Sequence, residues 1–253
     1  MAAPSAPGGG SAPQGPVGLE LHRVSARRRS FHLEISDLRL PPGITVLAGP
    51  NGAGKSTFFR CLAAREPRAL VEGTLDGAPL TGHDVTVMAQ SPRLPRDLTP
   101  RELLEQVAWL SGSDRTSASE RAGAVLDDVG LGDVAARRID DLSGGMSRRL
   151  AYGASRVLDA SLVLLDEPTN DLDPVQRRSF LRLVEETSAG RTCVIATHAL
   201  RDVAPIADHV MVLDGGRVLF SGTTEAFLDG YAPESRDAED AYTRCIDTAG
   251  ALA

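Results

Sequence analysis

The chain is poor in lysine: among its 27 basic residues only Lys55 is a lysine, and every other fixed positive side chain is an arginine. Acidic residues number 34, so the formal net charge is -7, and no basic footprint for nucleic acid is present. Cysteine is scarce as well. Cys61, Cys193 and Cys245 are isolated and odd in number, which gives no basis for a disulfide framework or a zinc site and fits a reducing, cytoplasmic setting. No apolar run approaches the roughly 20 residues of a membrane-spanning helix, so any work at a membrane is expected to pass through another chain. The opening stretch lacks both the basic and the apolar region of a signal peptide. Rich in Pro, Gly, Ser and Ala, it has little apolar surface to bury and is expected to be a disordered leader over residues 1–18. The remainder is ordinary for a globular protein with a full core, since the whole chain is 42% hydrophobic and 24% charged over 253 residues.

The one lysine lies inside Gly49-Pro50-Asn51-Gly52-Ala53-Gly54-Lys55-Ser56-Thr57, which fits the phosphate-binding pattern G-x-x-x-x-G-K-[ST]. Ile44–Ala48 before it reads as a buried strand and Phe58–Ala64 after it as a helix, the context such a loop needs. The glycines let consecutive backbone N–H groups converge on phosphate oxygens, and the following helix adds its positive end. A compact ammonium on a flexible stem suits this cradle better than a planar guanidinium does. Ser56 offers a hydroxyl oxygen to Mg²⁺, a hard ion.

Around this loop the pattern is mixed. Leu19–Val24 and Phe31–Leu38 alternate as half-buried strands, predicting an antiparallel layer beside a parallel core, with Arg27-Arg28-Arg29 as a solvated turn between them. Leu70–Leu75 and Val85–Met88 are further short strands. The texture then turns helical over about 92–158. Thr99-Pro100-Arg101-Glu102 and Ser117-Ala118-Ser119-Glu120 both read as capping boxes, and Gly130 as a stop. Ser143-Gly144-Gly145 precedes a helical repeat of apolar residues; it is a cap and turn, or a further anion site at a helix N-terminus. Leu162–Leu165 and Cys193–Thr197 are continuous apolar runs, as in strands covered on both faces. Asp173-Pro174 caps a helix between them, Val210–Leu213 and Val218–Phe220 form a hairpin, and a helix follows from about Thr223. The segment 231–253 is an acidic tail in which only Tyr242 and Ile246 hint at docking.

Lys55, Asp166, Glu167 and His198 all fall at or just beyond the carboxyl ends of apolar strands, the edge where ligands bind in a doubly wound sheet. An acid ending a strand can hold Mg²⁺, and Asp166 fits that role. Glu167 is then either a surface acid or the group that orients or deprotonates an attacking water. His198 is either a helix-start residue or part of the same site.

With these residues in place the chain resembles the ATP-binding cassette ATPases, the nucleotide-binding domains of ABC transporters, over about Leu19 to Leu228. Six motifs stand in family order: the loop GPNGAGKST, Gln90 of the Q-loop, the signature LSGGM, LVLLDE with Asp166 and Glu167, NDLD, and the switch residue His198. The resemblance implies an α/β P-loop NTPase core with a mostly parallel sheet, an antiparallel β subdomain and an inserted helical subdomain. The ATPase domain would cover 19–230 and the helical part about 92–158. It implies ATP and Mg²⁺, with Ser56, Gln90 and Asp166 toward the metal and Glu167, His198, Lys55 and Gln90 in catalysis. It also implies that a second cassette, identical or different, packs head to tail. Ser143, Gly144 and Gly145 of one copy would then face the γ-phosphate held by Lys55 of the other. Two departures stand out. Met146 replaces the usual Gln of the signature, and Arg28 stands near where an aromatic residue usually stacks on adenine.

Three functions are compatible with this pattern. The first is the ATPase subunit of an exporter whose integral membrane permease is a separate chain, located at the inner face of the membrane. The AWLSG stretch and the AEDAYTRC tail look like that group. The second is an importer ATPase, which would share each catalytic residue. The third is a soluble cassette acting on ribosomes or DNA, against which the acidic charge and the lack of a second cassette weigh.

Overall fold

The computed structural model describes residues 18–28 and 31–251; the expected leader, apart from Gly18, and Arg29 lie outside them. Strands β1 (Leu19–Arg28), β2 (Phe31–Leu40), β4 (Leu70–Leu75) and β5 (Ala78–Pro79) form an antiparallel sheet in the order β2-β1-β4-β5. A second sheet contains β3 (Gly43–Ala48), β6 (Val85–Met88), β7 (Leu162–Asp166), β8 (Thr192–Ala196), β9 (His209–Asp214) and β10 (Arg217–Thr223). Its order is β10-β9-β3-β8-β7-β6, parallel throughout except for the β9–β10 hairpin. The two layers anticipated from alternating and continuous apolar runs are therefore both present.

Successive residues of the parallel strands point to opposite faces, so each strand feeds two cores. Leu47, Leu162, Leu164, Val194 and Met211 pack with Phe58, Phe59 and Leu62 of α1 (Lys55–Leu62) and with the inner face of the antiparallel sheet. Val46, Val163, Leu165, Ile195 and Val212 pack on the other side under α2 (Pro100–Leu110), α3 (Arg115–Asp128), α4 (Gly144–Arg156) and α5 (Pro174–Thr187). Each fully buried Leu or Val of this kind contributes about 1.5–3 kcal/mol relative to exposure. Among the described residues no helix is long and apolar enough to cross a membrane.

Three helix starts agree with the caps read from sequence. Thr99 closes a complete capping box on α2, Ser143 accepts from the Met146 N–H at the start of α4, and Asp173 accepts from Val175 and Gln176 N–H groups on α5. The second capping box is a correction. Helix α3 begins two residues before Ser117, capped by Asp114, whose carboxylate accepts from the N–H groups of Thr116 and Ser117. The Ser117 hydroxyl donates to that same carboxylate at 2.6 Å and is itself inside the helix. Beyond α6 (Leu200–Val203) and α7 (Thr224–Tyr231), the acidic tail holds a docked helix, α8 (Ala238–Gly250), which buries Ala241 and Cys245.

All three cysteines are buried. Burial pushes the Cys61 thiol up to about 11 and the Cys193 thiol up to about 12, and raises Cys245 as well. Since the thiolate is the reactive form, the native chain at pH 8 is expected to react at none of the three within minutes of adding a disulfide reagent. The denatured chain should react at all three. Rapid native labelling of Cys61 or Cys193, read by mass, would contradict the packing described.

One glycine connects the layers near the site. Gly216, in the β9–β10 turn, has φ 81°, and a Cβ there would meet the His32 carbonyl oxygen at 2.1 Å. Its N–H donates to the Ala53 carbonyl at 3.0 Å, and its own carbonyl accepts from the Glu34 N–H at 2.9 Å.

Candidate functional site

The loop between β3 and α1 leaves the carboxyl edge of the parallel sheet, and the loops after β7 and β8 leave the same edge beside it. Together they line a cavity of about 1010 Å³. Every residue from Gly49 to Thr57 lines it, and so do Gln90, Asp166, Glu167 and His198. The residues singled out from sequence in one chain thus converge, with one exception. Ser143, Gly144 and Gly145 lie at the N-terminus of α4, apart from this cavity; Ser143 and Gly145 border a smaller cleft of about 220 Å³ with Met146 and Gln176.

Gly54 turns the loop into α1 at φ 113°, and a Cβ there would press on the Phe31 ring at 2.7 Å, so only glycine fits without strain. Lys55 is 8% exposed. Its ammonium donates to the carbonyl oxygens of Gly49 at 2.5 Å and Pro50 at 3.2 Å, which holds it across the mouth of the loop. Burial lowers its pKa, while Glu167 and Asp166 act in the opposite direction and favour the charged form.

Across from the lysine stand two side-chain pairs. The Ser56 hydroxyl donates to Asp166 Oδ2 at 2.8 Å. Burial raises the Asp166 carboxyl above its usual range; the Ser56 hydrogen bond and Lys55 partly oppose this, and Glu167 adds to it. Glu167 Oε2 lies 2.9 Å from His198 Nδ1 and 3.4 Å from the His198 backbone N–H. When the Glu167 carboxylate is ionised it can only accept, and in that state Nδ1 is the donor and Nε2 is the nitrogen left for a substrate. Glu167 also has a left-handed backbone, φ 48°, with its N–H bonded to the Ala196 carbonyl at 2.8 Å. That region is costly for a non-glycine residue.

The oxygens of Ser56 and Asp166 fit a Mg²⁺ ion that takes its other ligands from phosphates and water. Among the described residues no group of three or more His, Cys, Asp and Glu forms a self-sufficient metal cage. A carboxyl whose burial is only partly offset by the Ser56 hydroxyl and the nearby charges of Lys55 and Arg60 is suited to gain a further cation.

Sequence reasoning placed Arg28 near the base end of the site, and it does line the cavity. Its Nε lies 3.4 Å from the buried carboxylate of Glu66, which also pairs with Arg60 at 2.8 Å. It missed Phe31, Thr197 and Tyr242 as lining residues and had Asn170 only as the first residue of NDLD. Phe31 carries no motif, and Tyr242 arrives from α8 through tertiary docking. The only available signal for Tyr242 was its place among the few apolar residues of an acidic segment.

A family profile described as "ABC transporter" matches residues 33–170. The chain is 38% identical over 201 residues to the daunorubicin/doxorubicin resistance ATP-binding protein DrrA of Streptomyces peucetius, covering 74% of this chain and 59% of that one. It is 34% identical over 203 residues to the Nod factor export ATP-binding protein I of Cupriavidus metallidurans, covering 76% and 66%. It is also 29% identical over 202 residues to YxlF of Bacillus subtilis, an uncharacterized ABC transporter ATP-binding protein, covering 79% and 66%. The match spans less than two thirds of each of these relatives. Two solved structures share the fold at 22% identity. One, an ATP binding subunit of an ABC transporter, has TM-score 0.75 and covers 90% of this chain and 99% of that one. The other, cbiO1 from Clostridium perfringens, has TM-score 0.76 and covers 88% and 93%.

Proposed function

Because the chain belongs to the ABC transporter family, we propose that it is the ATP-binding and ATP-hydrolysing subunit of an exporter whose membrane permease is a separate chain. The observation that carries this is the meeting of two pairs, Ser56 with Asp166 and Glu167 with His198, beside the ammonium of Lys55 at one sheet edge. The ATPase domain covers 19–230, with helices over 92–158 as its inserted subdomain. Backbone N–H groups of Gly49–Thr57 and the start of α1 grip the phosphates, with Lys55 as the fixed charge among them. Ser56, Asp166 and Gln90 would hold Mg²⁺, which would neutralise charge on the phosphates. Glu167 takes the proton of the attacking water, and His198 is oriented by it toward the terminal phosphate.

The Ser143–Gly145 end of α4 is outside its own cavity, and in this reading it caps the γ-phosphate bound by a second cassette. ATP then binds the closed pair more tightly than separate copies, and only such differential affinity can drive a conformational change. Hydrolysis removes the bridge. Export is favoured over import by two relatives whose names state resistance to a drug and export of a Nod factor. The chain works at the inner face of the membrane through its permease.

The test is recovery of partners by the tagged chain from detergent-solubilised membranes, with and without substitutions over Ser91–Arg96 beside Gln90. A co-purifying protein with about six apolar spans of about 20 residues, lost on substitution, is the expected result. Recovery of ribosomal particles and no membrane protein would favour the soluble cassette.

A further inference from the structure

Three charged residues are buried among the described residues: Lys55, Glu167 and Arg148. The first two belong to the cavity, and the third does not. Arg148 lies in the second turn of α4, five residues past the Ser143 cap, with 8% of its surface exposed. Among the described residues no carboxylate lies within ion-pair distance of it. Its fork is instead divided between two backbone carbonyls: Nη1 donates to Gln90 O at 2.8 Å and Nη2 to Asn170 O at 2.6 Å. A buried cation whose hydrogen bonds go to neutral acceptors is a poor device for stability alone, because its desolvation exceeds what the more distant carboxylate of Asp171 returns.

The two carbonyls identify what is being held. Gln90 lies in the loop after β6 and Asn170 in the loop after β7, and both residues line the cavity. Asn170 also donates its N–H to the Glu167 carbonyl at 3.3 Å, closing the turn that carries the Glu167 side chain. One planar guanidinium therefore joins α4, the Gln90 loop and the Glu167 turn. A lysine could not reproduce this, since it lacks the fixed angle between donors.

We propose that Arg148 is a positioning residue that links the two nucleotide sites of a cassette pair. A nucleotide of the second copy pressing on Ser143–Gly145 shifts α4, and the guanidinium transmits that shift to Gln90 and to the turn bearing Glu167. Helix α4 is short and regular, so Ser143 and Arg148 are separated by only about 8 Å of rigid rise, and displacement at one is felt at the other. This inference rests on the paired-cassette reading above. By linkage the influence runs both ways, so the state of the Glu167 turn also biases how α4 receives the second nucleotide.

The experiment compares the full chain with Arg148→Met and Arg148→Lys for Mg·ATP affinity, kcat, the Hill slope of hydrolysis and the melting curve. Affinity within about twofold of the parent, kcat lowered roughly 10- to 100-fold and a Hill slope falling toward one are expected for Arg148→Met, the coupling lost being within the usual range. Arg148→Lys should not restore the slope. Parental kcat and slope in Arg148→Met would overturn the proposal, as would parallel loss of affinity and kcat, which marks a merely structural role. Should Arg148→Met fail to fold, hydrogen exchange of the Glu167–Asp171 amides in the parent is decisive. Slower exchange in Mg·ATP under conditions that pair the cassettes, but not under dilution that keeps them single, supports the link, and equal exchange overturns it. A parent chain that hydrolyses ATP without pairing defeats the paired reading and the link together, whereas a pairing parent with an indifferent Arg148→Met variant defeats only the link.

Discussion

Glu167→Gln is expected to lower Mg·ATP turnover by about two to four orders of magnitude, the range lost when a positioned general base is removed, while ATP affinity stays within about threefold. The amide preserves the shape of a side chain that is 9% exposed and bonded to His198 Nδ1 at 2.9 Å. It removes the basic oxygen and the negative charge. Nothing in the phosphate cradle is lost, because Lys55 and the backbone of Gly49–Thr57 are untouched. Binding without turnover should therefore accumulate the closed pair, visible as a doubling of mass by light scattering in Mg·ATP. Hydrolysis at the parental rate in this variant would remove Glu167 from the reaction.

Lys55→Ala carries the second large effect: nucleotide affinity should fall about 100-fold or more, near 2.8 kcal/mol at 1.4 kcal/mol per tenfold. The ammonium is the only fixed positive charge of the phosphate loop, and it stands beside the acids Asp166 and Glu167. Truncation both deletes a phosphate ligand and removes the ammonium that favours the charged form of those carboxylates. Lys55→Arg should not rescue binding, since a guanidinium needs a wider set of acceptors than the carbonyls of Gly49 and Pro50 provide. Calorimetry measures the loss directly. The composition supplies an independent assay. With Lys55 as the single lysine, an amine-directed reagent followed by peptide mapping reads this site alone among side chains, and ATP should protect it. Unchanged calorimetric affinity in Lys55→Ala would defeat the assignment.

How much of this was legible beforehand depended on whether a residue acts through local pattern or through tertiary contact. Ile44–Ala48, Leu162–Leu165 and Cys193–Ala196 are continuous apolar runs because both faces of β3, β7 and β8 are covered, so their parallel packing could be read in advance. Once those strands lie side by side, Lys55, Asp166, Glu167 and His198 must share an edge, and the structure brings them together there. The start of α3 was misread because Asp114 and Ser117 are both good caps, and the carboxylate of Asp114 accepts from the helix N–H groups and from the Ser117 hydroxyl. Tyr242 and Arg148 were out of reach for a different reason. One depends on where α8 docks, the other on which carbonyls lie 58 and 22 residues away along the chain.

The turn at Gly216 also bears on where this chain has room to grow. A hairpin at the edge of a sheet is ordinarily a tolerant place for added sequence, yet this one has its backbone joined to both Ala53 and Glu34. Lengthening it would pull the phosphate loop away from its neighbours. Gly77, Gly112 and Gly190 also have positive φ but have no other atoms crowding their Cβ positions. Accessory segments acquired by such a scaffold should therefore collect at those three bends, leaving the hairpin at a constant length.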